Sequence, residues 1–173
     1  MNLQTRSLCI GILTKNEERR IAACIQSAHF ADHVVVIDSG STDQTARIAA
    51  SLGAGVHVCA DWQGFGEQRN RLLAHCADGY IFFLDADEII TSELALEIQA
   101  AVASGGADIW ETHWLEGAFG RPLKRLRSRK SLPRFFKRNT LVGFEGVVHE
   151  HAKLVDGSLA RHRFQSPLLH HSR

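Results

Sequence analysis

The stretch YIFFLDADEII, residues 80 to 90, decides the fold. Tyr80 to Leu84 are apolar and rich in aromatic and branched side chains, the composition of a strand buried on both faces. The run ends abruptly in Asp85, Asp87 and Glu88. Two carboxylates that close raise each other's pKa unless a cation intervenes. Beyond a strand end they can splay, one toward a sugar hydroxyl and one toward a metal. Mg²⁺ is typically held by one or two carboxylates plus substrate phosphates. D-x-D at a strand end therefore points to a Mg²⁺ or Mn²⁺ diphosphate site. The plainer reading is a solvated turn in which Asp87 or Glu88 caps the next helix.

The pattern on either side favours a ligand. SLCIGIL (7 to 13) is an apolar run ending at TKNEE, and 17 to 30 carries Ile21, Ala22, Cys24, Ile25 and Ala28 at helical spacing. HVVVIDS (33 to 39) reads as a buried strand. SGSTDQT follows, where Ser41 or Thr42 can cap a helix and Asp43 favours its first turn. That helix stops at Gly53. VHVCA (56 to 60), a loop DWQGFGEQ and a helix near 67 to 77 lead into YIFFLD. TSELALEIQAAVAS (91 to 104) is a helix with a Ser/Thr start at Thr91 and Gly105-Gly106 as its stop. Such alternation predicts parallel strands with helices on both faces, and ligands bind beyond the carboxyl ends of such strands. Three of those ends carry polar clusters: TKNEE, DSGSTD and DADE. Asp38 ends its strand as Asp85 does, and reads as an acceptor for a base or ribose donor, as a helix cap, or as a partner of Arg47. Asn16 and Glu17 read as ligand contacts or as caps. G-F-G (64 to 66) reads as a phosphate cradle or a flexible turn.

The carboxyl half changes character. ADIWETHWLEGAF (107 to 119) suggests one or two strands, and glycine-punctuated apolar runs after 141 suggest antiparallel hairpins. Residues 121 to 138 carry nine Lys or Arg and no acid. This segment is expected to be a mobile loop: solvated, a lid over a diphosphate, or a patch for anionic lipid. Each cation near an anionic membrane contributes ~1 kcal/mol.

The bulk numbers suit one globular domain over 1–173. Of 173 residues 45% are hydrophobic and 23% charged, with net charge +1, so the molecule is no polyelectrolyte built for nucleic acid. Cys9, Cys24, Cys59 and Cys76 lie far apart and are expected to be buried free thiols in a reducing compartment. No stretch approaches the ~20 apolar residues of a membrane span, and no signal-peptide pattern opens the chain. The expectation is a cytoplasmic protein, able to rest peripherally on the inner membrane.

T-K-N-E-E (14 to 18), V-I-D-S-G-S-T-D (36 to 43), G-F-G-E-Q-R-N (64 to 70) and F-L-D-A-D-E (83 to 88) resemble motifs of family 2 glycosyltransferases. More narrowly they resemble those of bacterial lipopolysaccharide core β-1,4-glucosyltransferases. G-R-P-L (120 to 123), R-F-F-K-R (134 to 138) and V-H-E (148 to 150) continue the likeness. The resemblance implies an α/β GT-A fold, Rossmann-like and nucleotide-sugar-binding, with a mixed central sheet and helices on both faces. About 1–104 would bind the donor, and about 105–173 would serve acceptor and metal. It implies an inverting transfer of glucose from UDP-glucose to a glycan or glycolipid acceptor in lipopolysaccharide core synthesis.

Position by position, Thr14, Asn16, Glu17 and Asp38 would hold base and ribose, supported by Ser41 and Asp43. Arg69 would face the donor, Asp85 ribose or sugar, Asp87 the metal. His149 would approach the metal or diphosphate, and Arg134 would neutralise the leaving group. Glu150 is the first candidate for general base, with Glu111 and Glu116 as alternatives. His151, His170 and His171 read as surface residues, His170 also as a group behind the metal ligands. Two features depart from the resemblance: LRSRKSLP stands where relatives carry Trp and an acid, and relatives extend past the H-x-S near 171. The competing readings are a non-catalytic nucleotide-sugar-binding module and a haloacid-dehalogenase-type phosphatase, which also uses D-x-D.

Overall fold

A computed structural model of the chain describes residues 6–76, 78–118 and 121–171. The amino half alternates as expected: β1 (Leu8–Thr14), α1 (Ile21–Ser27), β2 (His33–Asp38), α2 (Thr45–Ser51), β3 (Gly55–Val58), α3 (Phe65–Ala74) and β4 (Tyr80–Asp85). A short β5 (Glu88–Ile90) and α4 (Ser92–Ser104) follow. Both ends of α4 match their sequence signals. Thr91 Oγ1 accepts the Leu94 N–H at 3.2 Å, and Gly105 closes the helix with φ 64°. Helix α1 is shorter than the 17–30 periodicity suggests, because residues 16 to 18 are tied to the loop after β2.

The carboxyl half adds β6 (Ile109–Ala118), β7 (Arg121–Lys137), β8 (Leu141–Glu145), β9 (His151–Leu154), β10 (Arg161–Arg163) and β11 (Leu168–His171). The main sheet runs β3-β2-β1-β4-β7-β6-β11-β5, with β10 beside β6. Strands β3, β2, β1 and β4 are parallel, and β7 joins β4 antiparallel, so the sheet is mixed. Strands β8 and β9 form a separate hairpin.

Alternation along β1 and β4 divides the core. Leu8, Ile10, Ile12, Phe82 and Leu84 pack with Ile21, Ile25, Leu94 and Ile98 of α1 and α4. Cys9, Leu13, Ile81 and Phe83 pack with Leu72 and Leu73 of α3, Phe136 and Phe144. Helix α3 sits so close to β1 that a Cβ on Gly11 would lie 3.1 Å from Leu72.

Two expectations are corrected. The basic segment is a strand: β7 pairs with β6 over most of its length, with irregularities in register. Phe135 and Phe136, both fully buried, draw its end between β4 and β6. Pairing with β6 then satisfies the backbone groups that a loop would leave to water. Cys9 and Cys76 are joined by a disulfide, leaving Cys24 and Cys59 as thiols. The end of α3 lies over β1, bringing together residues 67 positions apart. No described helix is long and apolar enough to cross a membrane.

Candidate active site at the carboxyl edge of the parallel strands

Strand β1 lies between β2 and β4, with Thr14 opposite Asp38 and Leu13 opposite Asp85. The three polar strand ends therefore meet at one edge. They border a cavity of about 490 Å³ lined by Thr14, Lys15 and Glu17 after β1, Ser39 after β2, and Asp85 to Asp87 after β4. Trp62 and Phe65 close it, edge to face at 4.9 Å.

The first two strand-end loops are welded together. The Asn16 N–H donates to Ser41 Oγ at 2.8 Å, and the Thr42 N–H donates to Asn16 Oδ1 at 2.8 Å. The Glu17 N–H donates to Thr45 Oγ1 at 2.8 Å. Asp43 accepts from the Thr45 and Glu18 N–H groups at 3.0 and 3.3 Å. A hydrogen bond from the Thr45 hydroxyl is the main cause of its lowered pKa. Asn16, Ser41 and Asp43 thus tie together the wall of this cavity, and Asn16 and Asp43 line a neighbouring one beside Lys15 and Glu17.

Asp38 is tied to the turn that follows β2. It is 1% exposed, and its Oδ1 accepts the N–H groups of Gly40 and Ser41 at 2.8 and 2.6 Å. Arg47 bonds to Gln44 at 2.7 Å, not to Asp38. Asp38 Oδ2 and Thr14 Oγ1 are buried with no hydrogen-bond partner among the described residues. Unpaired buried polar atoms are costly, and a water or another polar group would satisfy them.

The acids beyond β4 are held by two arginines from distant elements. Arg134 Nη2 lies 3.0 Å from both Asp85 Oδ2 and Glu88 Oε1. Arg69 Nη2 lies 3.6 Å from Asp85 Oδ1, and its Nε donates to Glu150 Oε1 at 2.9 Å. Glu88 also accepts the Asp85 N–H at 2.9 Å and the Trp114 indole N–H at 2.7 Å. Burial works to raise the Asp85 pKa, but Arg134 and Arg69 outweigh it and hold the carboxyl at about 2. Burial, helped by the charge of Asp85, pushes Glu88 up to about 7 against the pull of Arg134. Burial also raises Asp87, which His170 only partly offsets.

Arg69 and Arg134 do not border the 490 Å³ cavity. They line a second one, of about 380 Å³, on the other side of Asp85. The reason is register: Phe82 pairs with Phe135, so β7 brings Arg134 alongside the end of β4.

The histidine near Asp87 is another correction. His149 is exposed and lines neither cavity. His170 is the imidazole at Asp87, with Nε2 3.4 Å from Oδ2. Its Nδ1 lies 3.1 Å from Glu116 Oε2. Burial would lower its pKa, but Glu116 and Asp87 prevail and raise it. Strand β11 runs beside β6 with His170 opposite Glu116, and the His171 N–H donates to the Asp87 carbonyl at 2.9 Å. His170, which the sequence also reads as a group behind the metal ligands, is set against Asp87 by the pairing of β11.

Glu150 stands in the second cavity, beside Arg69. Glu111 is elsewhere, bonded to Ser131 at 2.7 Å and Arg163 at 3.3 Å. The G-F-G turn cradles no phosphate. The N–H groups of Phe65 and Gly66 donate to the carbonyls of Val147 and Gly146 at 2.9 and 3.1 Å. A Cβ on Gly66 would lie 2.7 Å from the Gly146 oxygen, so these glycines exist for close backbone approach. Asn70 completes the clamp: its amide donates to the Phe144 carbonyl at 3.1 Å and accepts the Phe144 N–H at 2.8 Å. The motif docks the β8–β9 hairpin, and with it Glu150, on α3.

A parallel β-α-β half with acidic strand ends, extended by an antiparallel strand beside β4, is the GT-A architecture. The chain belongs to glycosyl transferase family 2, whose family model matches residues 9–158. It is 42% identical over 107 residues to an uncharacterized glycosyltransferase of Rickettsia bellii, covering 61% of this chain and 36% of that one. To the lipopolysaccharide core biosynthesis glycosyltransferase LpsC of Rhizobium meliloti it is 35% identical over 97 residues, 52% of this chain and 36% of LpsC. Among solved structures, S. aureus TarS superposes with TM-score 0.62 at 20% identity, covering 91% of this chain and 37% of TarS. Glucosyl-3-phosphoglycerate synthase of Mycobacterium tuberculosis, crystallised with Mn²⁺, UDP-glucose and phosphoglyceric acid, matches with TM-score 0.53 at 25% identity, covering 64% and 44%. The chain spans about a third of the length of these curated relatives. A D-x-D after the fourth strand of this fold removes the phosphatase reading.

Proposed function

We propose that this chain carries the site of an inverting, divalent-metal-dependent glycosyltransferase that moves glucose from UDP-glucose to a saccharide of the lipopolysaccharide core. The observation that carries the reading is the single cavity shared by the ends of β1, β2 and β4. Base and ribose lie against Thr14, Glu17 and Ser39. The diphosphate runs toward Asp87.

The residues fit Mg²⁺ or Mn²⁺. Among the described residues no group of three His, Cys, Asp or Glu side chains forms a metal cage. Asp87, a carboxyl whose charge is disfavoured by burial, would hold the cation together with phosphate oxygens, and His170 is the imidazole within reach. When bound, the cation supplies charge to stabilise the leaving diphosphate. Arg69 and Arg134 act through Asp85, keeping it ionised for a ribose or sugar hydroxyl. Glu150, oriented by Arg69, takes the acceptor proton as general base. The nine Lys and Arg of 121 to 138 would suit a loose hold on an anionic membrane surface from the cytoplasmic side.

The test is UDP release from UDP-glucose with and without Mn²⁺, beside a thermal-shift series of UDP, ADP and GDP. We expect stabilisation by UDP alone, and slow Mn²⁺-dependent hydrolysis that falls about 10²-fold or more in D87A. Equal turnover by D87A removes the metal assignment. UDP binding without any turnover, even with acceptor, leaves the non-catalytic module.

A further inference from the structure

Glu88 has no part in the chemistry proposed above, yet it is an acid only 2% exposed. A carboxyl is costly to bury and persists only where partners meet it. Its partners come from three strands. Oε2 accepts the Asp85 N–H of β4 at 2.9 Å. Oε1 lies 2.7 Å from the Trp114 indole nitrogen of β6 and 3.0 Å from Arg134 Nη2 of β7.

The first of these bonds fills a gap in the sheet. Backbone N–H groups along a strand point alternately to its two neighbours. Those of Tyr80 and Ala86 point toward β1, donating to the carbonyls of Ser7 and Leu13 at 2.8 and 3.2 Å. The Asp85 N–H therefore faces the β7 side, where the paired residues are Tyr80, Ile81 and Phe82. A buried backbone donor beyond that pairing has to find another acceptor. Glu88 reaches back three residues and supplies it, closing the turn Asp85–Ala86–Asp87 with a side chain. The other side of the turn is fixed through β11. The backbone of Glu88 pairs with His170, and the His171 N–H donates to the Asp87 carbonyl at 2.9 Å.

The residue type follows from the donor count. Three N–H donors converge on two oxygens, and an ionised carboxyl offers both oxygens as acceptors with no hydrogen of its own. A glutamine would turn an amide N–H toward one of the donors.

We propose that Glu88 is a positioning residue for the cation: by closing the D-x-D turn it sets where Asp85 and Asp87 stand, and it touches neither metal nor sugar itself. The inference rests on the metal role of Asp87 proposed above.

Glu88→Gln in the full chain tests it, with two readouts. Amide exchange of the metal-free protein, followed by mass spectrometry, reads the turn. Titration with Mn²⁺ in saturating UDP, followed by electron paramagnetic resonance, reads its use. Peptides covering 83–90 are expected to exchange about tenfold faster, and Mn²⁺ to bind about tenfold more weakly. The metal-free UDP thermal shift stays at the parent's value, because Thr14, Glu17 and Ser39 follow other strands. Thr91→Ala loses a helix cap but keeps the hydrogen bonds of the turn, and should keep the parent's Mn²⁺ affinity. If Glu88→Gln does not fold, Trp114→Phe removes one of the three donors, and Mn²⁺ then binds about threefold more weakly. Parent-like exchange at 83–90, or parent-like Mn²⁺ affinity in the variant that folds, overturns this inference alone. A parent that binds UDP but no Mn²⁺ sinks the metal reading of Asp87 and this inference with it.

Discussion

Strands β4 and β7 are neighbours, yet their sequences are opposites. β4 is apolar until Asp85. β7 belongs to the most basic stretch of the chain and is anchored by Phe135 and Phe136 at its far end. The parallel half presents acids at one edge. The antiparallel half brings Arg134, Trp114, Glu150 and His170 to them. Arg69 of α3 meets Asp85 from the parallel half itself, but Glu88 takes its counter-charge from Arg134 of the other half. The division of labour is physical: one half supplies a rigid platform, the other completes its electrostatics.

The sharpest way to break this comparison is Arg134→Met. It strips Asp85 and Glu88 of their shared cation, and breaking a buried pair costs about 3–5 kcal/mol. Urea midpoints should show it. A variant as stable as the parent would mean that the acids do not depend on the antiparallel half.

Gly66→Ala tests the docking of the hairpin on α3. Ala normally improves a helix, but here the added methyl meets the Gly146 carbonyl at 2.7 Å. A net loss of about 1–3 kcal/mol is expected, with slower UDP release as Glu150 shifts. Asn70→Ala leaves the Phe144 N–H and carbonyl unpaired, at about 1–2 kcal/mol, and should also slow turnover. If either variant loses stability but keeps full turnover, the hairpin does not position the base.

Thr91→Ala is the control within the parallel half. Loss of the cap on α4 should cost about 1 kcal/mol and leave turnover unchanged.

The smallest expected effect is on pH dependence. Glu88 titrates near 7 when folded, above its unfolded value of about 4.3. The folded state therefore holds more protons between these values, and Glu88 subtracts stability as pH rises from about 4.3 toward 7. Glu88→Gln should flatten that part of the profile, seen in urea midpoints at pH 5 and pH 8. A parent and variant with parallel profiles would show that Arg134 keeps Glu88 ionised throughout.

The amino half was legible because burial on both faces writes uninterrupted apolar runs, and turns and caps have local chemistry. Thr91, Gly105 and the three acidic strand ends were found that way. The misses share a cause. The G-F-G turn looks like a phosphate loop until the β8–β9 hairpin takes its N–H groups. The disulfide, the extended course of the basic segment and the place of His170 beside Asp87 all depend on pairings between residues far apart in the chain.

By itself the sequence determined where the chain alternates, which edge collects carboxylates, and hence the family. Those features follow from short-range periodicity and from the cost of burying charge. Only the tertiary structure decided which cation meets which acid, which histidine reaches Asp87, and that two cavities meet at Asp85. Contacts of that kind are set by strand register across the sheet, and register is a property of the packed whole.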